Sequence, residues 1–139
     1  MPSISLYTLG YAQWTIDEVV LKIRSMRALL VDVRRSPHTT KPGFTRTALM
    51  ERDRMHYVHV PEFGNVNYRA GPIQLADPEG GAEALRDVAR SIVLMCGCQS
   101  PHDCHRSTVA AFLSSRWNLS VTHLRSPTEQ PQPSLFDTR

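Results

Sequence analysis

The sequence predicts an α/β domain, with a mostly parallel sheet of about five strands and helices on both of its faces. Short β-prone runs alternate along the chain with segments of helical periodicity, which is the pattern of parallel strands joined by crossover helices. Residues 28–33 are almost continuously apolar, as expected for a strand that is covered on both faces. With 139 residues, of which 41% are hydrophobic, the chain is long enough for one core. We therefore predict a single three-layer domain over residues 1–125.

The elements of this domain follow from local patterns. Residues 4–9 are β-prone and stop at Gly10, which predicts the first strand. Thr15 and Glu18 form a capping-box pattern before apolar residues at helical spacing, so the first helix is expected at 15–26. The remaining strands are expected at 28–33, 56–60, 92–95 and 120–124, and further helices at 45–54, at 82–90 and after residue 104, with Asp103 as the N-cap of the last helix.

Two segments lack such patterns. Residues 61–81 are rich in proline and glycine, and an irregular connection of this length is usually functional, so we interpret it as a lid or a binding loop. Residues 126–139 contain three prolines and few apolar residues, which predicts a flexible tail.

Composition narrows the class of protein. The N-terminus lacks a signal-peptide pattern, and no apolar run approaches the roughly 18 to 20 residues that span a bilayer, so we expect a cytoplasmic protein without a membrane partner. Three cysteines within nine positions suit reduced thiols, a metal or a reactive sulfur better than a disulfide framework. Between Lys22 and Arg54 lie nine basic and three acidic residues, which favours a polyanionic partner or, alternatively, describes solvated helix faces. The oligomeric state is left open.

Polar side chains follow the predicted strands where each strand ends. Because the carboxyl ends of parallel strands meet at one edge, which is where α/β proteins bind ligands, these side chains are expected to converge on one site. The residues are Tyr11 and Trp14 after the first strand, Asp32, Arg34 and Arg35 after the second, Glu62, Gly64 and Asn65 after the third, and Cys96, Cys98, Cys104, His105 and Arg106 after the fourth.

Cys104 is the first candidate for chemistry, since a thiol at a helix N-terminus beside Arg106 and His105 is expected to have a lowered pKa. As a nucleophile it would use His105 or Asp32 as its acid or base. As metal ligands, Cys96, Cys98 and Cys104 would act together, with His105 as a fourth soft ligand, although their spacing matches no paired CxxC zinc motif. As structure, a cysteine at a strand end is a small buried hydrophobic residue.

The other candidates have two interpretations each. Arg34, Arg35 and Arg106 suit phosphate, because a guanidinium group donates two parallel hydrogen bonds to it. Asp32 is either an acid or base, or it orients one of these arginines, and the second role is favoured beside several arginines. Tyr11 and Trp14 either stack on a base or seal the edge of the core.

A family resemblance covers roughly residues 6–124. The segments TLGYAQWTIDE, LLVDVRRSP, YVHVPEFGN and LMCGCQSPHDCHRSTVAAFL resemble the bacterial domain of unknown function 488 family. The resemblance implies a Rossmann-like fold and a shared site, made of Asp32, Arg34, Pro37, Tyr57, Gly64, Cys96, Cys104, His105 and Arg106. Many relatives carry an acidic residue at the position of Cys98, so its replacement by a thiol favours metal or redox chemistry.

The tail carries a second resemblance. Gln132, Leu135 and Phe136 lie in a QPSLF peptide that is similar to the motif by which bacterial repair proteins dock on the sliding clamp. A flexible segment with an apolar pair can fill an apolar groove while its domain reaches DNA. The alternative is an inert tail.

Together these observations predict a nucleic-acid- or nucleotide-processing protein, with an anion site at the start of the last helix. Two other classes remain open: a non-catalytic DNA- or clamp-associated adaptor, and a protein that binds a metal ion through cysteines.

Overall fold

The structure is a computed structural model that describes residues 4–67, 69, 71–98 and 104–127. These residues form one five-stranded sheet in the order β3-β2-β4-β1-β5, and all of its strand pairs are parallel. The strands are β1 (Leu6–Gly10), β2 (Leu29–Asp32), β3 (Tyr57–His59), β4 (Ile92–Cys96) and β5 (Val121–His123). The helices are α1 (Ile16–Met26), α2 (Arg46–Asp53), α3 (Pro78–Ala84) and α4 (His105–Trp117). The predicted α/β class is confirmed.

The core consists of two apolar layers, one on each face of the sheet. In β4 the side chains of Ile92, Leu94 and Cys96 join the layer beneath α3 and α4, whereas Val93 and Met95 join the layer beneath α1 and α2. Every residue of β2 and β4 is buried, as the apolar composition of both strands predicts. The sheet is therefore a middle layer, and its carboxyl edge is the surface left for a site.

Helix α1 begins as its sequence pattern predicts. Thr15 is the N-cap, its hydroxyl accepts from the Glu18 amide at 3.1 Å, and the Glu18 carboxylate accepts from the Thr15 amide at 2.8 Å. The helix ends at Arg27, whose left-handed backbone (φ 52°) turns the chain directly into β2. The short α1–β2 connection follows from this residue.

The predicted third helix at 82–90 is wrong in position, because the helix covers Pro78–Ala84 instead. Asp77 caps it by accepting from the Gly80 amide at 3.0 Å, and Pro78 occupies the first turn, where no amide hydrogen is needed. Gly81 packs so closely on the ring of Phe63 that a Cβ atom would overlap it. Gly81, which indicates a loop in the sequence, thus allows α3 to pack on Phe63.

The segment expected to be a lid is partly ordered at its base. Asn65 and Leu75 form an antiparallel bridge, and the Val66 amide donates to the Gln74 carbonyl at 2.9 Å. Residues 61–63 form a short 3-10 turn before it. The connection between β3 and α3, residues 60–77, is called the strap below. Backbone hydrogen bonds between its two halves hold it together where it passes the carboxyl edge of the sheet.

The N-cap of α4 is Cys104, and its side chain makes no capping hydrogen bond. Asp103, which was expected in that position, lies outside the described residues. At the other end of the domain Ser126 is buried, with 3% of its surface exposed, so the packed body extends to the first residue assigned to the tail. None of the helices within the described ranges is long and apolar enough to cross a membrane.

Candidate functional site

A cavity of about 750 Å³ opens at the carboxyl edge of the sheet. It lies between the ends of β2 and β4, the start of α4 and the strap after β3. Its lining residues are Arg34, Arg35, Ser36, His38, Asn65, Ile73, Cys96, Gly97, Cys98 and His105. Six of the thirteen residues expected to converge line the cavity, whereas the other seven do not: Tyr11, Trp14, Asp32, Glu62, Gly64, Cys104 and Arg106.

Asp32 is completely buried and is held by two partners. Arg34 donates to it from Nε (2.8 Å) and Nη2 (2.6 Å) in a two-point ion pair, and from its backbone amide (3.1 Å). The Tyr57 hydroxyl donates the fourth hydrogen bond at 2.6 Å. Through these hydrogen bonds Asp32 holds the Arg34 guanidinium in a fixed orientation.

The pKa values of this group follow from burial and from the Asp32 charge. Burial alone would lower the pKa of Arg34, but the hydrogen bonds and charge of Asp32 outweigh it and raise that pKa. Burial and the same carboxylate raise the pKa of Tyr57 well above its ordinary value. Arg34 is therefore a permanent cation that is neutralised by Asp32, and Tyr57 is a permanent hydrogen-bond donor.

Tyr11 and Trp14 are buried, with 7% and 2% of their surfaces exposed. The ring of Tyr11 stacks on Phe44, with 4.4 Å between ring centroids, and its hydroxyl accepts a hydrogen bond from Arg34 Nη1 at 3.2 Å. Neither aromatic ring offers a face to the cavity. Both rings are therefore part of the buried core, which is the position expected if they seal its edge.

The three cysteines form one cluster, in which the sulfur atoms all lie within 4.8 Å of one another. Cys96 and Cys104 are at disulfide-bonding distance, which the expectation of reduced thiols did not include. Their Cα atoms are 7.7 Å apart, beyond the range of about 4.4 to 6.8 Å typical of structural disulfides. Both residues are at most 2% exposed, and of the two only Cys96 lines the cavity, whereas Cys98 is partly exposed and also lines it.

Arg106 lies beneath this cluster with 2% of its surface exposed. Its Nη1 donates to the sulfur of Cys96 at 3.3 Å and to the carbonyl of Cys98 at 3.1 Å, and Nε donates to the Thr8 hydroxyl at 3.4 Å. Burial lowers its pKa, and the neighbouring Cys98 acts in the opposite direction. Arg106 therefore faces the sulfur cluster instead of the cavity, so its predicted contact with phosphate has no direct route.

His105 connects the start of α4 to the end of β2. Its Nε2 donates to the Val33 carbonyl at 2.7 Å, because a carbonyl can only accept. Burial lowers the pKa of His105 against the opposing effect of that hydrogen bond, so the ring is neutral near pH 7. A neutral ring with Nε2 protonated leaves Nδ1 as an acceptor.

Glycines allow the chain to close around these groups. A Cβ atom on Gly10 would overlap the Cys98 carbonyl and lie 2.6 Å from Nη1 of Arg106. A Cβ atom on Gly64 would lie 2.6 Å from the Cα of Arg35. Gly64 therefore allows the strap to pass close to the loop that follows β2. Both positions require the absence of a side chain because of close approach.

Some lining residues escaped sequence reasoning. His38 and Ser36 follow Arg35 in an irregular loop, and Ile73 lies in the strap, where no periodicity marks a position as facing a site. His59 was also missed, although its Nε2 donates to the Arg34 carbonyl at 2.7 Å and fixes the β2 end. For Ser36 and His38 the sequence offered one signal, because both directly follow the arginine pair in RRSPH.

The basic segment is partly neutralised by ion pairs within the fold. Arg24 pairs with Asp53 at 2.9 Å, and Arg52 pairs with Asp17 at 2.5 Å. Helices α1 and α2 each carry two basic and two acidic residues, so the excess of positive charge in this segment lies outside them. The clamp-like residues Gln132, Leu135 and Phe136 lie outside the described residues.

Fold and site together define a parallel α/β domain with a cavity at the carboxyl edge of its sheet, lined by two arginines, two histidines and two cysteines among other residues. Comparison with known protein families, with curated proteins and with solved structures finds no match to this chain.

Proposed function

We propose that the protein processes nucleic acid or nucleotides, and that the cavity receives a phosphate-bearing part of the ligand. One observation carries this proposal: the exposed guanidinium of Arg35 lies at the cavity wall, and no acidic residue is among the described residues that line the cavity. A relationship to the domain of unknown function 488 family is part of the same proposal. A volume of about 750 Å³ is also within the usual range for small-ligand sites, roughly 300 to 1,000 Å³.

Arg35 is the residue proposed to bind the phosphate directly. Its neighbour Arg34 already has Nε, Nη1 and Nη2 engaged by Asp32 and Tyr11, whereas Arg35 is exposed at the cavity wall. A guanidinium group that faces a cavity can donate two hydrogen bonds to a phosphate. Asn65 and Ser36 add polar groups at the same wall.

The reacting groups are proposed to be thiols at the floor of the cavity. Cys104 was the first candidate, but its sulfur is buried, and Cys98 is the partly exposed cysteine. Asp32 is proposed to act on the site through Arg34, and His105 through its acceptor nitrogen. The test uses a substrate that the wild type converts. If the Cys104→Ser and Arg106→Ala proteins both convert it at the full rate, the sulfur cluster takes no part in the reaction.

Binding is tested with a short fluorescein-labelled single-stranded DNA, followed by anisotropy. Arg35→Ala is expected to weaken binding about tenfold or more, because a hydrogen bond to a charged group contributes about 1.5 to 3 kcal/mol. Arg86→Ala is the matched control, because it removes the same charge from an exposed arginine that is paired with Glu83 on the α3 side. Equal weakening by both variants would show that the binding is non-specific. Displacement of the probe by adenosine monophosphate would identify a mononucleotide site.

A non-catalytic adaptor is the alternative, and it predicts salt-sensitive binding without conversion of the probe. In that case the tail would dock on the bacterial sliding clamp through Gln132, Leu135 and Phe136. Deletion of residues 132–136 should then abolish clamp binding in a pull-down with purified clamp and leave DNA binding unchanged.

A metal centre is the second candidate function, and the cysteine cluster favours it. Thiolates of Cys96, Cys98 and Cys104 within 4.8 Å of one another could bind Zn²⁺ or another thiophilic ion, provided that all three are reduced. A cytoplasmic location, which keeps thiols reduced, belongs to this proposal. Elemental analysis of protein purified under reducing conditions tests it, and less than stoichiometric metal would exclude it.

A further inference from the structure

We propose that Cys96, Cys98 and Cys104 form a thiol–disulfide exchange centre, in which Cys98 connects the buried Cys96–Cys104 pair to small thiols that enter the cavity. The cluster is asymmetric. Cys96 and Cys104 are at bonding distance and at most 2% exposed, while Cys98 is partly exposed at the cavity wall. This inference does not depend on the phosphate-bearing ligand proposed above.

Proximity gives Cys98 access to the buried pair. All three sulfur atoms lie within 4.8 Å of one another, so a thiolate at Cys98 can reach Cys104 with a change of side-chain rotamer. Cys104 does not line the cavity, and Cys96 lines it with only 1% of its surface exposed, so a dissolved thiol meets Cys98 first. Exchange between the cavity and the buried pair therefore passes through Cys98.

Arg106 supplies the stabilisation that the leaving sulfur needs. Its buried guanidinium donates to the sulfur of Cys96 at 3.3 Å, so a negative charge that develops there is hydrogen-bonded as it forms. A low-pKa thiolate leaves faster in this chemistry. Cys96 is accordingly the leaving group, and Cys104 is the sulfur that is attacked.

The exchange is balanced within the cluster. Cys98 loses its proton to solvent in the cavity and attacks the Cys104 sulfur; the Cys98–Cys104 bond forms, the Cys96–Cys104 bond breaks, and Cys96 leaves as a thiolate. No electrons enter or leave in this step. A small thiol then attacks Cys98 to give a mixed disulfide and releases the Cys104 thiolate. A second thiol attacks the mixed disulfide, regenerates the Cys98 thiol and leaves as an oxidised small disulfide. The net reaction transfers two electrons from two small thiols to the protein disulfide.

The test measures the rate at which glutathione reduces the Cys96–Cys104 bond in the folded protein, by quenching with an alkylating reagent and mass spectrometry. The Cys98→Ser protein is expected to be reduced at least about tenfold more slowly than the wild type. In denaturant the two proteins should be reduced at similar rates, because every sulfur is then accessible. Ser115→Ala, at an exposed position on α4, is the control and should match the wild type.

Trapping identifies the point of entry. With limiting glutathione the mixed disulfide should be found on Cys98. Equal native rates for wild type and Cys98→Ser, or glutathione attached first to Cys96 or Cys104, would overturn the proposal. The proposal would also be overturned if protein purified without reductant contained a metal ion bound by all three thiolates. If the Cys98→Ser protein does not give the wild-type circular dichroism spectrum, the Cys98→Ala protein replaces it, and trapping in the wild type decides the question independently.

Discussion

Replacement of Asp32 by alanine should be among the most destabilising single changes in this domain. The substitution removes four hydrogen bonds and leaves the Arg34 guanidinium, of which 8% of the side-chain surface is exposed, without its counter-charge. Breaking a buried ion pair from one side costs about 3 to 5 kcal/mol. Because the Tyr11 hydroxyl still accepts from Arg34, we expect about 3 kcal/mol, which is a large part of the 5 to 15 kcal/mol typical of a domain.

Urea unfolding followed by circular dichroism measures this loss, and two further variants separate its causes. Tyr57→Phe removes one hydrogen bond to a charged group and should cost about 1.5 kcal/mol. The double change Asp32→Ala with Arg34→Met removes both charges and should cost less than the sum of the two single changes. A loss below about 1 kcal/mol for Asp32→Ala, or strict additivity in the double variant, would refute a buried and coupled ion pair at this position.

Three other changes give independent tests. Gly10→Ala should cost about 1 to 3 kcal/mol in urea unfolding and alter the reactivity of Cys98 toward alkylation, since the added methyl group overlaps the Cys98 carbonyl; unchanged stability would contradict that close approach. Partial burial opposes the ionisation of Asp53, but hydrogen bonds from His56 and Arg24 outweigh it and lower the pKa of this carboxyl group below 3.8. The stability that the carboxylate contributes is therefore full above about pH 4 and is lost as the pH falls through the lowered pKa. Asp53→Asn should flatten that part of the pH–stability curve. Thr15→Ala should cost about 1 kcal/mol through loss of the capping box, and an effect below about 0.3 kcal/mol would be inconsistent with it.

The sheet could be predicted because its strands and helices differ in periodicity. Buried strands such as β2 and β4 are continuous apolar runs, and α1 has both its capping box and its apolar spacing in the sequence. Helix α3 could not be placed correctly, since Pro78, Gly80 and Gly81 indicate a loop by local preference. The glycine at 81 is explained by contact with Phe63, which is distant in sequence.

The location of the cavity could be predicted, but which of the candidate residues line it could not. Strand ends fix which loops converge, so Arg35, Asn65 and Cys98 were found from the order of the elements. Burial decides which of the thiols and arginines meet the cavity, and burial depends on packing between elements. Cys104 and Arg106 begin α4 as expected, yet both face the layer beneath that helix. Only the three-dimensional arrangement shows Cys98 to be the partly exposed cysteine of the three.

The pairing of Arg34 with Asp32 has a consequence for how binding should respond to salt. Because that charge is cancelled inside the protein, Arg35 is the main uncompensated cation at the cavity wall. Each phosphate contact with single-stranded DNA contributes a slope of about −0.7 to the dependence of log affinity on log salt concentration. One or two contacts correspond to a shallow slope of about −1, far from the steep slopes of proteins that neutralise many phosphates along a strand. If the ligand is the proposed phosphate-bearing one, it is therefore expected to be the end of a strand or a single nucleotide, and its affinity should fall by only about tenfold for a tenfold rise in salt concentration.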